Sequence, residues 1–515
     1  MANTIDQNYA FGTALRVTTR LARTNLPPRT IMRAPGTLQA VVVAEHVIAS
    51  VAAALGLDPT AVRETNLLSH AALPDVRRPC AGVLAEGVTA GGAAGVADPG
   101  LFAADGTSDV VVATALGGEI PIDQMTVPRM WRELAERADI DARAKSIAEF
   151  NAANPFTKRG LSMASARFVM QVDAKPAAVH IHHDGSVLVT SPGHEMGQGL
   201  HTKLLQSCCA SLSTAFPPGS PHLPLSLFRV ADTSTDALPN SGPSWGSTTS
   251  EASCEAVKMA AGQLAGALKE KVAAALADGK TGVAAWTSAV RLAHPAVGFS
   301  ASTMPLSAIA FYDGSQRAGA KGKALTYNGC GVAVTEVTLD ALTGEVRVDR
   351  ADLLLDAGHS LNPALDVGQA EGGYVQGLGL MLSEDVAVDP RTGASPVSTW
   401  DYKIPTADVA PRDFRVHLLA GAPHARGVLS SKAVGEPPLL LLITALTATQ
   451  AAVNAVRAGL GHDAGAGATN GTVEVRGDGG HGPRPAPAAL LTAPATPRAV
   501  RAAIGPLPLA EWAGR

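Results

Sequence analysis

Aromatic side chains are scarce in this chain of 515 residues: Phe, Trp and Tyr together make up 4%. Cysteine is rarer still. There are five, Cys80, Cys208, Cys209, Cys254 and Cys330, an odd number with no C-x-x-C pair. That composition argues against a disulfide scaffold, a structural zinc site or an iron–sulfur cluster, and a reducing cytoplasm is the expected setting. The net charge of -4 comes with no basic block, so no nucleic-acid footprint is expected. No uninterrupted run of about 18 apolar residues exists, and no membrane span is expected. The first residues, MANTIDQNYAFG, carry no basic stretch followed by an apolar core, and so do not read as a signal peptide. A P-loop, a dinucleotide-binding fingerprint, H-E-x-x-H and the G-x-S-x-G elbow are all missing, which removes specific support for nucleotide hydrolysis, nicotinamide chemistry, a zinc protease and an esterase.

What is present is a hydrophobic content of 46% with Gly 52 and Pro 35, enough chain for two to four domains with a real core. The pattern is α+β, built from hairpins and helices rather than regular βαβ units. Helices are expected at Thr37–Leu55, Trp131–Asn151, His201–Leu212, Ser250–Leu276, Asp366–Leu382 and Pro438–Leu460. Ala177–Thr190 reads as a hairpin turning at Asp184-Gly185 with a type I′ turn, and Gly331–Ala357 as a second one turning at Leu342-Thr343-Gly344. Pro405–Leu419 reads as extended chain. Residues 80–109 and 462–488 are low-complexity and carry little structural content.

The most informative stretch is Ser431-Lys-Ala-Val-Gly-Glu-Pro-Pro-Leu439. It holds Glu436 between Gly435 and two prolines, just before an apolar helix. A carboxylate there serves either the helix dipole or a cleft, where fixed geometry suits a general base. Lys432 is placed to steady the loop. A second stretch, His194-Glu-Met-Gly-Gln-Gly-Leu-His-Thr-Lys203, frames Gln198 between Gly197 and Gly199 at a helix start. It reads either as a cap or as a ligand site, where open backbone N–H groups take anionic oxygens and a carboxamide both donates and accepts. Asn240 to Glu251, which contains Gly246, Ser247 and Thr249, reads as a cap or as an anion-holding nest. Asp366-Val-Gly-Gln-Ala-Glu371 again puts glycine and Gln369 at a helix start. Arg33 precedes Pro35, which keeps its neighbourhood non-helical; it binds an anion or pairs with a surface carboxylate. His180 and His182 share a strand face, but no third ligand accompanies them, and no protein ligand set for a metal is visible.

The motifs TNLPPRTIMRAPG, HEMGQGLHTK, GHSLNPALDVGQAEGGYVQGLGL, YKIP and SKAVGEPPL occur in that order. With them the chain resembles the molybdopterin-binding region of the xanthine dehydrogenase/aldehyde oxidase family of molybdenum hydroxylases, from about Arg20 to Trp512. GSTTSEASCEAV at Gly246–Val257 and Arg33-Ala-Pro-Gly36 look more like the plant aldehyde oxidase branch. Pro35 stands where xanthine dehydrogenases carry a stacking phenylalanine, and a second such phenylalanine falls near Val172. The resemblance implies a molybdenum-molybdopterin cofactor held without a side chain on the metal. It makes Glu436 the general base and Arg33 the active-site arginine, with Gly197, Gln198, Gly246, Ser247, Thr249, Gln369 and Gly435 around the cofactor. It implies a small aldehyde or N-heterocycle as substrate, a homodimer, and neither nucleic acid nor membrane as partner; xanthine oxidation is the alternative reading, and a non-catalytic fragment the other. Residues 1–150 match the latter part of a first molybdenum subdomain, 151–461 a second one, and 489–515 a C-terminal segment after the low-complexity 462–488. The family's [2Fe–2S] clusters and FAD are expected only on N-terminal domains that are not visible here, since five cysteines cannot supply eight thiolates.

Overall fold

The computed structural model describes residues 4–11, 15–20, 22–23, 31–68, 111–116, 119–294, 304–314, 326–386, 388–389, 391–395, 398–460 and 490–507. The low-complexity stretches 80–109 and 462–488 lie outside them.

The chain opens with helices α1 (Thr37–Leu55) and α2 (Pro59–Thr65), then the short antiparallel pair β1 (Val111–Ala113) and β2 (Glu119–Pro121). Helices α3 (Val127–Arg137) and α4 (Ile140–Ala153) follow. The single helix expected at 131–151 is thus two, because Asp139 takes a left-handed φ of 51° between them. Strands β3 (Thr157–Gln171), β4 (Lys175–Ile181) and β5 (Val187–Thr190) lead to helix α5 (Leu200–Ser213), strand β6 (Phe228–Val230), helices α6 (Thr249–Ala277) and α7 (Gly282–Ala293), and strand β7 (Ser307–Tyr312). Then come β8 (Thr326–Asp340), β9 (Val346–Leu355), α8 (Pro363–Leu382), β10 (Asp413–Leu418), α9 (Pro437–Leu440), α10 (Ile443–Gly459) and α11 (Pro497–Ile504).

Two four-stranded sheets carry the architecture. One runs β10-β9-β8-β3, with β9 and β10 parallel and the other pairs antiparallel. The other runs β6-β5-β4-β7, with only β5 and β6 parallel. Both expected hairpins form, β4–β5 and β8–β9. The first does not turn by type I′, which needs a positive φ at both central residues. Only Gly185 has one (90°), and its N–H closes onto the His182 carbonyl at 2.8 Å. His180 lies on β4, bonded to Ser307, while His182 lies in the turn beyond the strand.

Helix α10 lies across β3 and β8, and α6 across β4 and β7. Strand β3 has no strong β signature: Gly160, Ser162, Ala164, Ser165 and Ala166 are small residues with weak strand preference. Their size is what the packing uses. A Cβ on Gly160 would stand 2.0 Å from the Ala448 carbonyl oxygen and 2.7 Å from the Ala452 nitrogen. Gly160→Ala is therefore expected to cost about 1–3 kcal/mol by forcing α10 off the sheet, read as a lowered unfolding midpoint in urea.

The helix expected at 438–460 is interrupted after Leu440 and resumes at Ile443. Two described segments, Thr37–Leu55 and Pro437–Gly459, have the length and apolar composition of a membrane span. In the second, Leu439–Leu442 and most of the α10 face are core residues, whereas α1 leaves Val43, Val47, Val51 and Leu55 exposed. The extended chain expected at 405–419 contains a single 3₁₀ turn at Ala407–Val409 before β10.

Candidate active site

The Ser431–Glu436 loop is tied down along its length. It leaves a pair of left-handed residues, Leu429 and Ser430, with φ of 48° and 64°, a conformation that costs non-glycine residues energy and is kept only where the surroundings impose it. Ser431 forms a bridge with Gly358, and the Lys432 N–H donates to the Ala357 carbonyl at 2.9 Å. The Lys432 ammonium, itself buried, meets Asp356 at 2.7 Å. Asp356 also accepts from Thr126 and from the Gly358 N–H.

Glu436 sits at the N-cap position of α9, yet its side chain makes no capping bond. One carboxylate oxygen accepts the Ala34 N–H at 2.8 Å, and the other accepts the Ser247 hydroxyl at 2.8 Å. Both donors come from left-handed residues, Ala34 at φ 56° and Ser247 at φ 63°. Pro35 thus leaves its predecessor non-helical, but in the left-handed rather than the extended region. Glu436 is only 7% exposed, so its charge is oriented by fixed donors in a half-dry wall. Gly435 must lack a side chain, since a Cβ there would lie 2.6 Å from the Ser247 Oγ.

Arg33 closes the loop from the other side. Its Nε donates to the Gly435 carbonyl, and its two terminal nitrogens reach the side-chain oxygens of Gln376 (3.2 Å) and Gln369 (3.1 Å). Burial lowers its pKa, an effect opposed by the charge of Glu436. Gln369 also donates to the Gly197 carbonyl at 3.2 Å, which links α8 to the His194–Gly199 loop. Gln369 is not at the helix start: α8 begins at Pro363, capped by the Asn362 side chain, and Gln369 stands in its second turn.

The free N–H groups expected after Gln198 are taken. The Glu195 carboxylate accepts from the N–H groups of Gly197 (3.1 Å), Gly199 (2.9 Å) and His201 (3.0 Å). Burial works against its charge, but these bonds prevail and hold its pKa low. Gln198 folds onto its own loop, donating to the His194 carbonyl at 2.7 Å and accepting the Met196 N–H at 2.6 Å. At the start of α6, Thr248 makes no capping bond and Thr249 pairs with the Trp245 backbone. Glu251 is no cap either; it accepts the Tyr327 hydroxyl at 2.7 Å.

These segments surround one cavity of about 790 Å³. Arg33, Gln198, Gly246, Ser247, Thr249, Gln369, Gly435 and Glu436 all line it; Gly197 does not, being exposed, and its carbonyl accepts from Gln369. Sequence reading missed several members. Gln376 lies seven residues, two helical turns, beyond Gln369 on α8 and could have been found by that spacing. The buried pair Lys203–Asp366, at 2.8 Å, could not, because its partners are 163 residues apart. Val172 is a core residue, and Phe168, four residues earlier, lines the cavity instead. Among the described residues no group of three or more His, Cys, Asp or Glu side chains could hold a metal ion.

A large ligand with many hydrogen-bonding edges fits this lining: Gln198, Gln369 and Gln376, the hydroxyl of Ser250, and Gly246, whose Cβ direction is nearly open. The volume is that of a site for a drug-sized or larger molecule. A molybdopterin cofactor-binding domain model matches residues 133–411, and a second model of the same description matches residues 1–67. The chain belongs to the molybdopterin cofactor-binding domain family, and the relatives it resembles include aldehyde oxidases and a xanthine dehydrogenase/oxidase. Aldehyde oxidase 4 and abscisic-aldehyde oxidase of Arabidopsis thaliana are each 34% identical over 451 residues, covering 88% of this chain and 30% of theirs. Xanthine dehydrogenase/oxidase of Felis catus is 33% identical over 454 residues, covering 86% of this chain and 29% of its own. The chain thus spans less than a third of the length of these relatives. Aldehyde oxidoreductase from Desulfovibrio gigas shares the fold, with a TM-score of 0.60 at 20% identity over 92% of this chain and 41% of that one. So does the Cu,Mo-CO dehydrogenase, with a TM-score of 0.60 at 18% identity over 91% of this chain and 52% of that one.

Proposed function

We propose that this chain contributes the base-bearing wall of a molybdenum hydroxylase site that oxidises aldehydes to carboxylates. The observation that carries the reading is the Glu436 carboxylate, turned away from its own helix and fixed by Ala34 and Ser247 at the surface of the cavity. Gln198, Gln369, Gly246 and Thr249 would hold the molybdopterin, and Arg33 braces Gln369 and the Gly435 carbonyl. When bound, molybdopterin brings the metal that accepts the two electrons of the oxidation. Glu436 would take a proton from the water that supplies the second carboxylate oxygen, and the two donors keep its own oxygens in place while it does so. An adjacent exposed rim of Ile31, Met32, Met196 and Trp245 suits an uncharged apolar substrate. The reading also carries the family's cytoplasmic, homodimeric full-length form, with N-heterocycles as further substrates.

The test is molybdenum and pterin analysis of the purified protein, followed by assays for carboxylate from an aldehyde and for urate from xanthine. Absence of both cofactor components defeats the reading, and urate as the main product moves it to xanthine oxidation, for which Phe168 in the cavity is the relevant observation. Ser247→Ala is expected to lower turnover about tenfold, the effect of losing one hydrogen bond to a charged group, with molybdenum content unchanged.

A further inference from the structure

Behind the cavity, one buried phenol joins two of its walls. The Tyr327 hydroxyl donates to Glu251 at 2.7 Å and accepts the Ala433 N–H at 2.9 Å. Glu251 is in the first turn of α6, four residues after Ser247; Ala433 is three residues before Glu436. Tyr327 is 1% exposed and packs against the ring of His424, with centroids 4.6 Å apart. It cannot drift, and both of its bonds lie in a dry setting where they are costly to lose. Ser247 and Glu436 themselves meet at 2.8 Å on the cavity side. The two loops are therefore joined at two points, once at the reacting face and once behind it.

We propose that Tyr327 is a positioning residue for Glu436, setting the distance between the Ser247 loop and the Glu436 loop through Glu251 and the Ala433 N–H. It touches neither substrate nor cofactor. Burial and the charge of Glu251 raise the phenol's pKa well above its usual value, so it stays a donor at working pH. The inference rests on the reading of Glu436 as the base.

The test uses the molybdopterin-loaded protein and four forms: wild type, Tyr327→Phe, Ser247→Ala and the double variant. Tyr327→Phe is expected to lower kcat about tenfold with KM within about twofold, as expected when an interaction made mainly in the transition state is lost. Molybdenum content should be unchanged, and the Ala433 amide should exchange with deuterium faster. The double variant should be no slower than Ser247→Ala alone, because both substitutions loosen the same contact. Additive losses in the double variant, or unchanged exchange at Ala433, overturn the proposal. Where Tyr327→Phe fails to fold, Glu251→Ala removes the phenol's acceptor from the other end and must show the same non-additivity with Ser247→Ala. Full turnover in Glu436→Gln would instead defeat the reading of the base, and would leave the exchange result at Ala433 as it stands.

Discussion

Replacing Glu436 by glutamine in the molybdopterin-loaded protein lowers kcat by about 10²–10⁴-fold, the usual range for removal of a general base, with no loss of bound molybdenum. Glutamine keeps the shape, and its side-chain oxygen can still accept one of the two bonds, from the Ala34 N–H or the Ser247 hydroxyl. What it cannot do is take a proton. The loop itself stays in place, because Arg33, Lys432 and Tyr327 hold Gly435, Asp356 and Ala433 without help from the carboxylate. The assay is single-turnover aldehyde oxidation alongside metal analysis. Wild-type turnover in this variant removes Glu436 from the role of base.

Lys432→Met is expected to destabilise the protein by about 3–5 kcal/mol, the range for breaking one side of a buried ion pair. The side chains of Lys432 and Asp356 are 3% and 0% exposed, so the remaining carboxylate has no access to water. Thr126 and the Gly358 N–H still donate to it, but both are neutral. The double variant Lys432→Met with Asp356→Asn removes the uncompensated charge and should recover much of the loss; urea denaturation of the three forms checks this. Equal stability of Lys432→Met and wild type would mean that the pair does not hold the loop.

Sequence patterning identified most helices and both hairpins, because each depends on neighbours in the chain: apolar periodicity, a glycine at the turn, a proline at the helix start. It did not distinguish the two roles open to Glu436. A carboxylate before Pro437-Pro438 satisfies the rules for a cap and for a base equally well, and the outcome depended on donors 402 and 189 residues away. The same limit applied at Gly197–His201, where Glu195 fills the anion site that the glycines suggested. Strand β3 was illegible for a related reason: its small residues are chosen by the approach of α10 and not by strand preference.

By itself, then, the sequence determined an α+β chain with glycine-framed glutamines and a rigid corner at Glu436, since turn chemistry and periodicity act over a few residues. Only the tertiary structure decided that Glu436 faces a cavity rather than its own helix. Left-handed residues at Ala34 and Ser247 bring an N–H and a hydroxyl to its two oxygens. A folded chain can set such bonds between distant segments, and no local rule of the sequence contains them.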